Sequence, residues 1–256
     1  MPKHPRIVNR RQRPIQSVEE WGEHAGPASH EHWKDGRSAK ELAKAWIGGA
    51  GPDALIALLN TCPETANLRI EEAVAEAQVG FDSYPGGKRN HDLLIHGRTA
   101  GGSIVIGLEG KADETFGETI KSYASKSAAK RARKEPTNAP ERLKGLLEDI
   151  AGHSLTEKPA FGDLRYQLFS AVAGTLAAVA ADDMAAFIVH EFATHLTTPR
   201  KREANKQALA EFVEAITGTV VPDGDAWLVG PYRVPADRWS AIPLWIGHLT
   251  TPGKPT

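Results

Sequence analysis

His91-Asp92-Leu93-Leu94-Ile95, a Gly-containing turn at 100–102, and Ile104-Val105-Ile106-Gly107-Leu108-Glu109-Gly110-Lys111 decide how this chain is read. Each is a short apolar run bounded by turn residues, the pattern of a β-strand. Side chains alternate along a strand, so Ile104, Ile106 and Leu108 share one face, while Val105, Gly107, Glu109 and Lys111 share the other. The first face is expected to be buried. On the second, the apolar run ends abruptly in charge and puts a carboxylate and an ammonium together at a strand end. A hairpin from the preceding run sets Asp92 beside Glu109, and the three side chains are predicted to converge on one solvent-accessible cleft.

Working outward, residues 70–82 are ambiguous: Ile70, Ala73, Val74 and Ala77 have helical spacing, whereas Ala75, Ala77, Val79 and Phe81 alternate like a strand. With a strand toward Phe81, the turn Tyr84-Pro85-Gly86-Gly87 makes the whole a three-stranded antiparallel meander. Ahead of it, Ser38 and Glu41 stand at capping-box spacing before a helix stopped by Gly48-Gly49, and a second helix runs from Asp53 to Asn60. Beyond it come a basic segment at 117–134, a helix from Glu141 to Ala151, and an amphipathic helix from Leu164 to Ala180. A crossover of this kind returns the strand-like Ala185–His190 to the same sheet. A helix from Lys201 to Ile216 and a strand-like Leu244–His248 follow. The expected fold class is therefore α/β: a helix, a three-stranded antiparallel meander, a crossover helix and a further strand, with helical additions. Residues 1–36 read as a basic, Pro/Gly-containing arm, 37–220 as the main domain, and 221–256 as a Trp/Pro-rich extension packed on it.

Composition sets the outer bounds. The chain has 256 residues, is 41% hydrophobic and carries a formal charge of −1, which suits a globular protein with a real core and leaves any nucleic-acid contact to local patches. Cys62 is the lone cysteine, which excludes an intramolecular disulfide and fits a reducing, cytoplasmic compartment. The N-terminal cluster Lys3, Arg6, Arg10, Arg11 and Arg13 is followed by no apolar stretch of a secretion signal, and no run of about 18 apolar residues suggests a membrane span.

Asp92 and Glu109 supply hard oxygens suited to Mg²⁺, or Mn²⁺ in its place, which takes a few carboxylates together with water and substrate phosphate. Such an ion polarises a phosphoryl oxygen and acidifies bound water, and the Lys111 ammonium orients that water or stabilises charge developing on the phosphate. The expected reaction is phosphodiester hydrolysis.

At this point the sequence resembles the PD-(D/E)XK, or restriction-endonuclease-like, nuclease superfamily. Asp92 fits the acidic residue of the second strand, and Glu109-Gly110-Lys111 fits the (D/E)-X-K tripeptide of the third. The resemblance spans about residues 38–192, with Asn90-His91 standing where a proline often precedes the first aspartate. It implies a Mg²⁺-dependent nuclease with Asp92, Glu109 and Lys111 catalytic, acting on nucleic acid, DNA foremost, in genome defence or DNA processing. Cutting both strands would suit a homodimer. Some members add an acidic group on the first helix or strand; Glu76, in preference to Glu72, fits as a further metal ligand. Asp113 shares the parity of Glu109 and Lys111. Gln167, opening the crossover helix, fits a residue supporting the site.

Residues 119–145 hold eight lysines and arginines against two glutamates. Within them Lys121, Lys126, Lys130, Arg131 and Arg133 are the expected phosphate contacts, which give affinity without sequence information. A zinc-protease reading of His190-Glu191-Phe192-Ala193-Thr194-His195 fails on spacing, because that motif needs histidines four apart on one helix face. The competing functional class is a nucleic-acid-binding or protein-interaction module that keeps the fold without turnover.

Overall fold

The computed structural model describes residues 5–27, 29–180 and 183–253. Its centre is a seven-stranded mixed sheet, ordered β1-β2-β3-β4-β5-β7-β6. The strands are β1 (Arg6–Asn9), β2 (Arg69–Val79), β3 (Arg89–Thr99), β4 (Gly102–Lys111), β5 (Met184–Ala193), β6 (Ala226–Tyr232) and β7 (Leu244–Pro252). β2, β3 and β4 form the antiparallel meander, β5 and β7 continue parallel to β4, and β6 closes the sheet antiparallel to β7.

Helices cover both faces. α1 (Val18–Ala25), α2 (Ser38–Trp46) and α3 (Gly51–Leu59) lie on one side, where Trp21, Leu42, Trp46 and Leu55 pack on Leu93, Ile95, Ile104, Ile106 and Leu108. α4 (Ile120–Ala132), α5 (Ala139–Ala151), α6 (Tyr166–Ala177) and α7 (Pro199–Thr217) lie on the other, with Leu147, Leu168, Phe169 and Phe212 packed on Phe187, Val189 and Ile246. Ile104, Ile106 and Leu108 are buried as expected.

The opposite face of β4 departs from expectation. Val105, Glu109 and Lys111 are all under 5% exposed, because α6 lies directly across them. A Cβ on Gly107 would meet the Thr175 hydroxyl oxygen at 2.1 Å, and one on Gly174 would meet His91 Nε2 at 2.7 Å. Only glycine permits so close a helix–sheet contact.

The N-terminal segment is also no arm. Ile7 and Val8 are buried in β1, which pairs in parallel with β2, while Ile15, Trp21 and Ala25 join the core. Ser17 caps α1 by accepting from Glu20 N. A four-residue strand is too short to show periodicity, and this one is stabilised by its partner strand. Arg10, Arg11 and Arg13 remain exposed; Lys3 lies outside the described residues. At the other end, the Trp/Pro-rich extension supplies β6 and β7, so 5–253 share one sheet.

Two buried histidines are expected to make the fold less stable in acid. Burial first, then the charge of Arg89, depresses His91 to about 4; burial, then His248, depresses His190 to about 3. As pH falls from about 6.5, the unfolded chain takes up protons that the folded chain refuses until those lower values. Stability from these two groups is full above about 6.5 and declines below it, by on the order of 3 kcal/mol per group near pH 4. Urea unfolding at pH 7.5, 6 and 5 should show a falling midpoint, and His190→Gln should flatten the trend.

Candidate active site

The sheet is irregular where the candidate residues meet. Ala73 and Ala75 of β2 face α1–α3, yet Ala77 packs with Leu94 and Val105 on the other face. On β3, Leu93 and Ile95 face α1–α3, whereas His91 lies against Gly107 and Gly174 beneath α6. Register is unbroken across this change, Ala75 pairing with Leu93 and Ala77 with His91. Both strands therefore switch faces together, at Glu76 and Asp92. Glu76 has φ of 53°, a left-handed conformation that costs a non-glycine residue on the order of 1 kcal/mol or more.

The switch brings Arg89 and His91 onto the face of Glu109. Arg89 Nη2 donates to Glu109 Oε2, Lys111 Nζ lies 2.9 Å from Oε1, and Gln167 Nε2 also donates to Oε1. Ladder pairing between β3 and β4 ends at Leu93 and Leu108. Beyond it, Gly110 N donates to Asp92 Oδ2 at 2.8 Å, a carboxylate taking the place of a strand carbonyl. The Lys111 ammonium sits 5.2 Å from the Phe116 ring centroid. Asp92, Glu109, Lys111 and Gln167 thus come together as expected. Glu109 and Lys111 are buried and Asp92 and Gln167 half-buried, where the sequence predicts an open cleft.

Electrostatics divides the carboxyl groups. Burial raises Asp92 well above the usual carboxylate range, and Glu109 and Glu76 add to the rise. Burial also pushes Glu109 up, but Lys111 and then Arg89 outweigh it and hold Glu109 ionised, below its ordinary value. For Lys111, burial is outweighed by Glu109 and Asp92, so its pKa is raised and the ammonium persists. Three carboxyl groups, Glu76, Asp92 and Glu109, stand near two cations, and it is at Asp92 and Glu76 that ionisation is opposed.

The donor set is compatible with a hard divalent cation on limited terms. Among the described residues no three His, Cys, Asp or Glu side chains form a ligand cluster, so Asp92 and Glu109 would need water and phosphate to complete a shell. Asp92 keeps partial exposure, and a cation there would replace its proton. Glu76 lies nearby but gives its carboxylate to Asn90 Nδ2, and burial raises its pKa. Glu72 is held at the sheet edge by Arg6. Asp113 does not extend the site; it pairs with Arg37 Nη1 at 2.6 Å.

The basic helix is anchored at the start of α6. Ile120 N donates to Leu164 O at 2.9 Å, Tyr166 N donates to Glu118 O at 3.2 Å, and the Tyr123 and Tyr166 rings stack at 4.1 Å. Lys121, Lys126, Lys130, Arg131 and Arg133 are exposed. Lys126 pairs with Glu118, Arg131 with Glu141 and Arg133 with Glu135, whereas Lys121 and Lys130 have no ion-pair partner among the described residues.

Other chemistry-bearing groups lie on neighbouring strands. His190 is buried and shares a hydrogen bond of 2.9 Å with Thr251 Oγ1. Glu191 stands 3.3 Å from His248 Nε2 and 3.6 Å from Arg202 Nε. Asn205 of α7 pins the loop after β4: its Oδ1 accepts from Phe116 N at 3.2 Å and its Nδ2 donates to Glu114 O at 3.0 Å. Sequence reasoning missed Arg89, Asn205 and the Glu191–His248 pair. Parity from Leu93 and Ile95 would send Arg89 to the far face, and the other partners meet only through the sheet order.

Fold and side-chain arrangement together define a mixed α/β protein with a buried carboxylate–lysine pair at the end of a central strand. The chain belongs to DUF6946, a domain of unknown function, whose family model matches residues 14–252. No curated protein and no solved structure matches it. No single helix among the described residues is long and apolar enough to cross a membrane.

Proposed function

We propose that this protein is a Mg²⁺-dependent nuclease of the PD-(D/E)XK type, hydrolysing phosphodiester bonds in nucleic acid, DNA foremost. The observation that carries the proposal is the meeting of Asp92, Glu109, Lys111 and Gln167 at the end of β4. Element order supports it as well: helix, meander, crossover helices, then a strand parallel to the third.

Asp92 and Glu109 would hold the ion. When bound, it supplies Lewis-acid polarisation of the phosphate and a more acidic water. Gln167 fixes the carboxylate plane of Glu109 through Oε1. Lys111, held by Glu109 and shielded by Phe116, presents a permanent positive charge where phosphate charge accumulates. Enclosure under α6 limits bulk water, so that charge is poorly screened.

A specific observation favours the second class, a nucleic-acid-binding module without turnover. Glu109 already has three donors, and both it and Lys111 are under 5% exposed. Incubating the protein at low salt with plasmid, single-stranded DNA and RNA in Mg²⁺, Mn²⁺ or chelator separates the two. Metal-dependent cleavage supports the nuclease. No cleavage of any substrate and no bound Mn²⁺ would leave the binding module.

Nucleic-acid affinity should be carried mainly by the unpaired cations of α4. Replacing Lys121 and Lys130 with Ala is expected to shallow the slope of log affinity against log salt by about 0.9 per lost phosphate contact. Replacing Lys126 and Arg131, already neutralised by glutamates, should change it less. Equal slopes in all variants would reduce this helix to a solvated face.

A further inference from the structure

The row of residues containing Glu109 continues across the sheet. Glu109 is the register partner of Val189, Val189 of His248, and His248 of Trp227. The next row runs Lys111, Glu191, Thr250. Two strand spacings, about 10 Å, separate the Glu109 and His248 backbones. β4, β5 and β7 run parallel, and carboxyl ends of parallel strands are where open α/β sheets take their ligands.

This neighbourhood contains polar groups without partners. Glu191 and His248 are 1% and 3% exposed. His248 Nδ1, Glu191 Oε1, Thr250 Oγ1 and Arg202 Nε have no hydrogen-bond partner among the described residues. Each such buried atom costs about 1–3 kcal/mol, and the four gather in one place. Of these four residues, His248 lines a cavity of about 350 Å³. His248 and Trp227 line it together with Leu209, Ala210, Val221 and Pro222, and the Lys206 ammonium stands there with two carboxylates, Glu203 and Asp223.

We propose that this cavity binds a nucleobase, flat against the Trp227 side with its hydrogen-bonding edge toward His248. An aromatic and aliphatic lining suits the faces of a planar heterocycle. The mixed charges favour a neutral ligand over a strong anion or cation. With Nε2–H given to Glu191, His248 Nδ1 is an acceptor for a ring N–H or exocyclic amine. The base can belong to a free nucleoside or to a nucleotide turned out of a strand, as enzymes acting on bases require. The second source rests on the nuclease proposal; the pocket itself does not.

Titration calorimetry of the full chain in chelator, with the four nucleosides and with a 12-nucleotide single strand, tests this. At least one nucleoside should bind, and His248→Ala and the cavity-filling Ala210→Trp should each weaken it about tenfold or more, whereas Glu109→Gln should leave it unchanged. Ala210→Trp spares the buried floor and guards against a folding defect of His248→Ala; thermal melts verify both. Competition between strand and nucleoside assigns the base to a strand, and its lack assigns the pocket to free nucleosides. No nucleoside binding, or binding indifferent to Ala210→Trp, overturns the proposal. Nucleoside binding without cleavage of any substrate would sink the nuclease and leave the pocket standing.

Discussion

Lys111→Ala is expected to lower cleavage by about a hundredfold or more while leaving substrate affinity nearly intact. The ammonium acts on charge that develops only in the transition state, so its loss falls on turnover rather than on binding. Burial sharpens the effect. Where Lys111 is buried beside Phe116, water cannot readily replace the missing charge. The same substitution leaves Glu109 with Arg89 and Gln167 as partners, so the carboxylate stays satisfied and the fold should survive. Single-turnover cleavage and equilibrium binding, measured on the same oligonucleotide, read the two quantities apart. Equal loss in both would make Lys111 a binding residue, and undiminished cleavage would remove it from the chemistry.

Removing the Asp92 carboxylate should be at least as severe. Asp92→Asn retains an acceptor for Gly110 N but loses the charge, and Mn²⁺ affinity should drop by more than about a hundredfold. In the native protein, burial and the neighbouring Glu109 and Glu76 raise Asp92, so the folded apo site carries a proton at a pH where ordinary carboxyls are ionised. A cation must expel it. Mn²⁺ affinity should therefore climb with pH by up to about tenfold per unit until Asp92 ionises, then level off. Calorimetry in two buffers of different ionisation enthalpy should register the released proton in wild type and none in Asp92→Asn. Mn²⁺ binding without pH dependence, or binding retained by the variant, would place the ion elsewhere. Loss of the carboxylate also removes repulsion toward phosphate, so nucleic-acid affinity in chelator should hold or increase.

How far these features could be read in advance depended on whether they were local. The strand run into Glu109 and Lys111 and the meander follow from alternation and spacing within a few residues, and Gln167 from the resemblance together with its place near a helix start. Arg89 did not, since alternation from Leu93 and Ile95 gives the wrong face; the joint switch at Glu76 and Asp92 is a property of two paired strands. β1 was lost because four residues carry no period and draw their stability from β2. β6, with Gly230 and Pro231 inside it, reads as a turn until β7 pairs with it. Burial of Glu109 was equally non-local. It depends on Gly107 and Gly174 meeting across two elements, which neither segment signals alone.

Asn205 makes α7 a mechanical link. Through one side chain the helix grips Phe116 N and Glu114 O, and Phe116 lies against the ammonium of Lys111. One turn away, Lys206, Leu209 and Ala210 of the same helix wall the cavity over His248. A tilt of this rod that accommodates a guest there would pull on the loop carrying Phe116 through those two hydrogen bonds. If both places take the ligands proposed for them, their occupancies are expected to be coupled, and by reciprocity a substrate that resets Phe116 should tighten or loosen the cavity to the same degree.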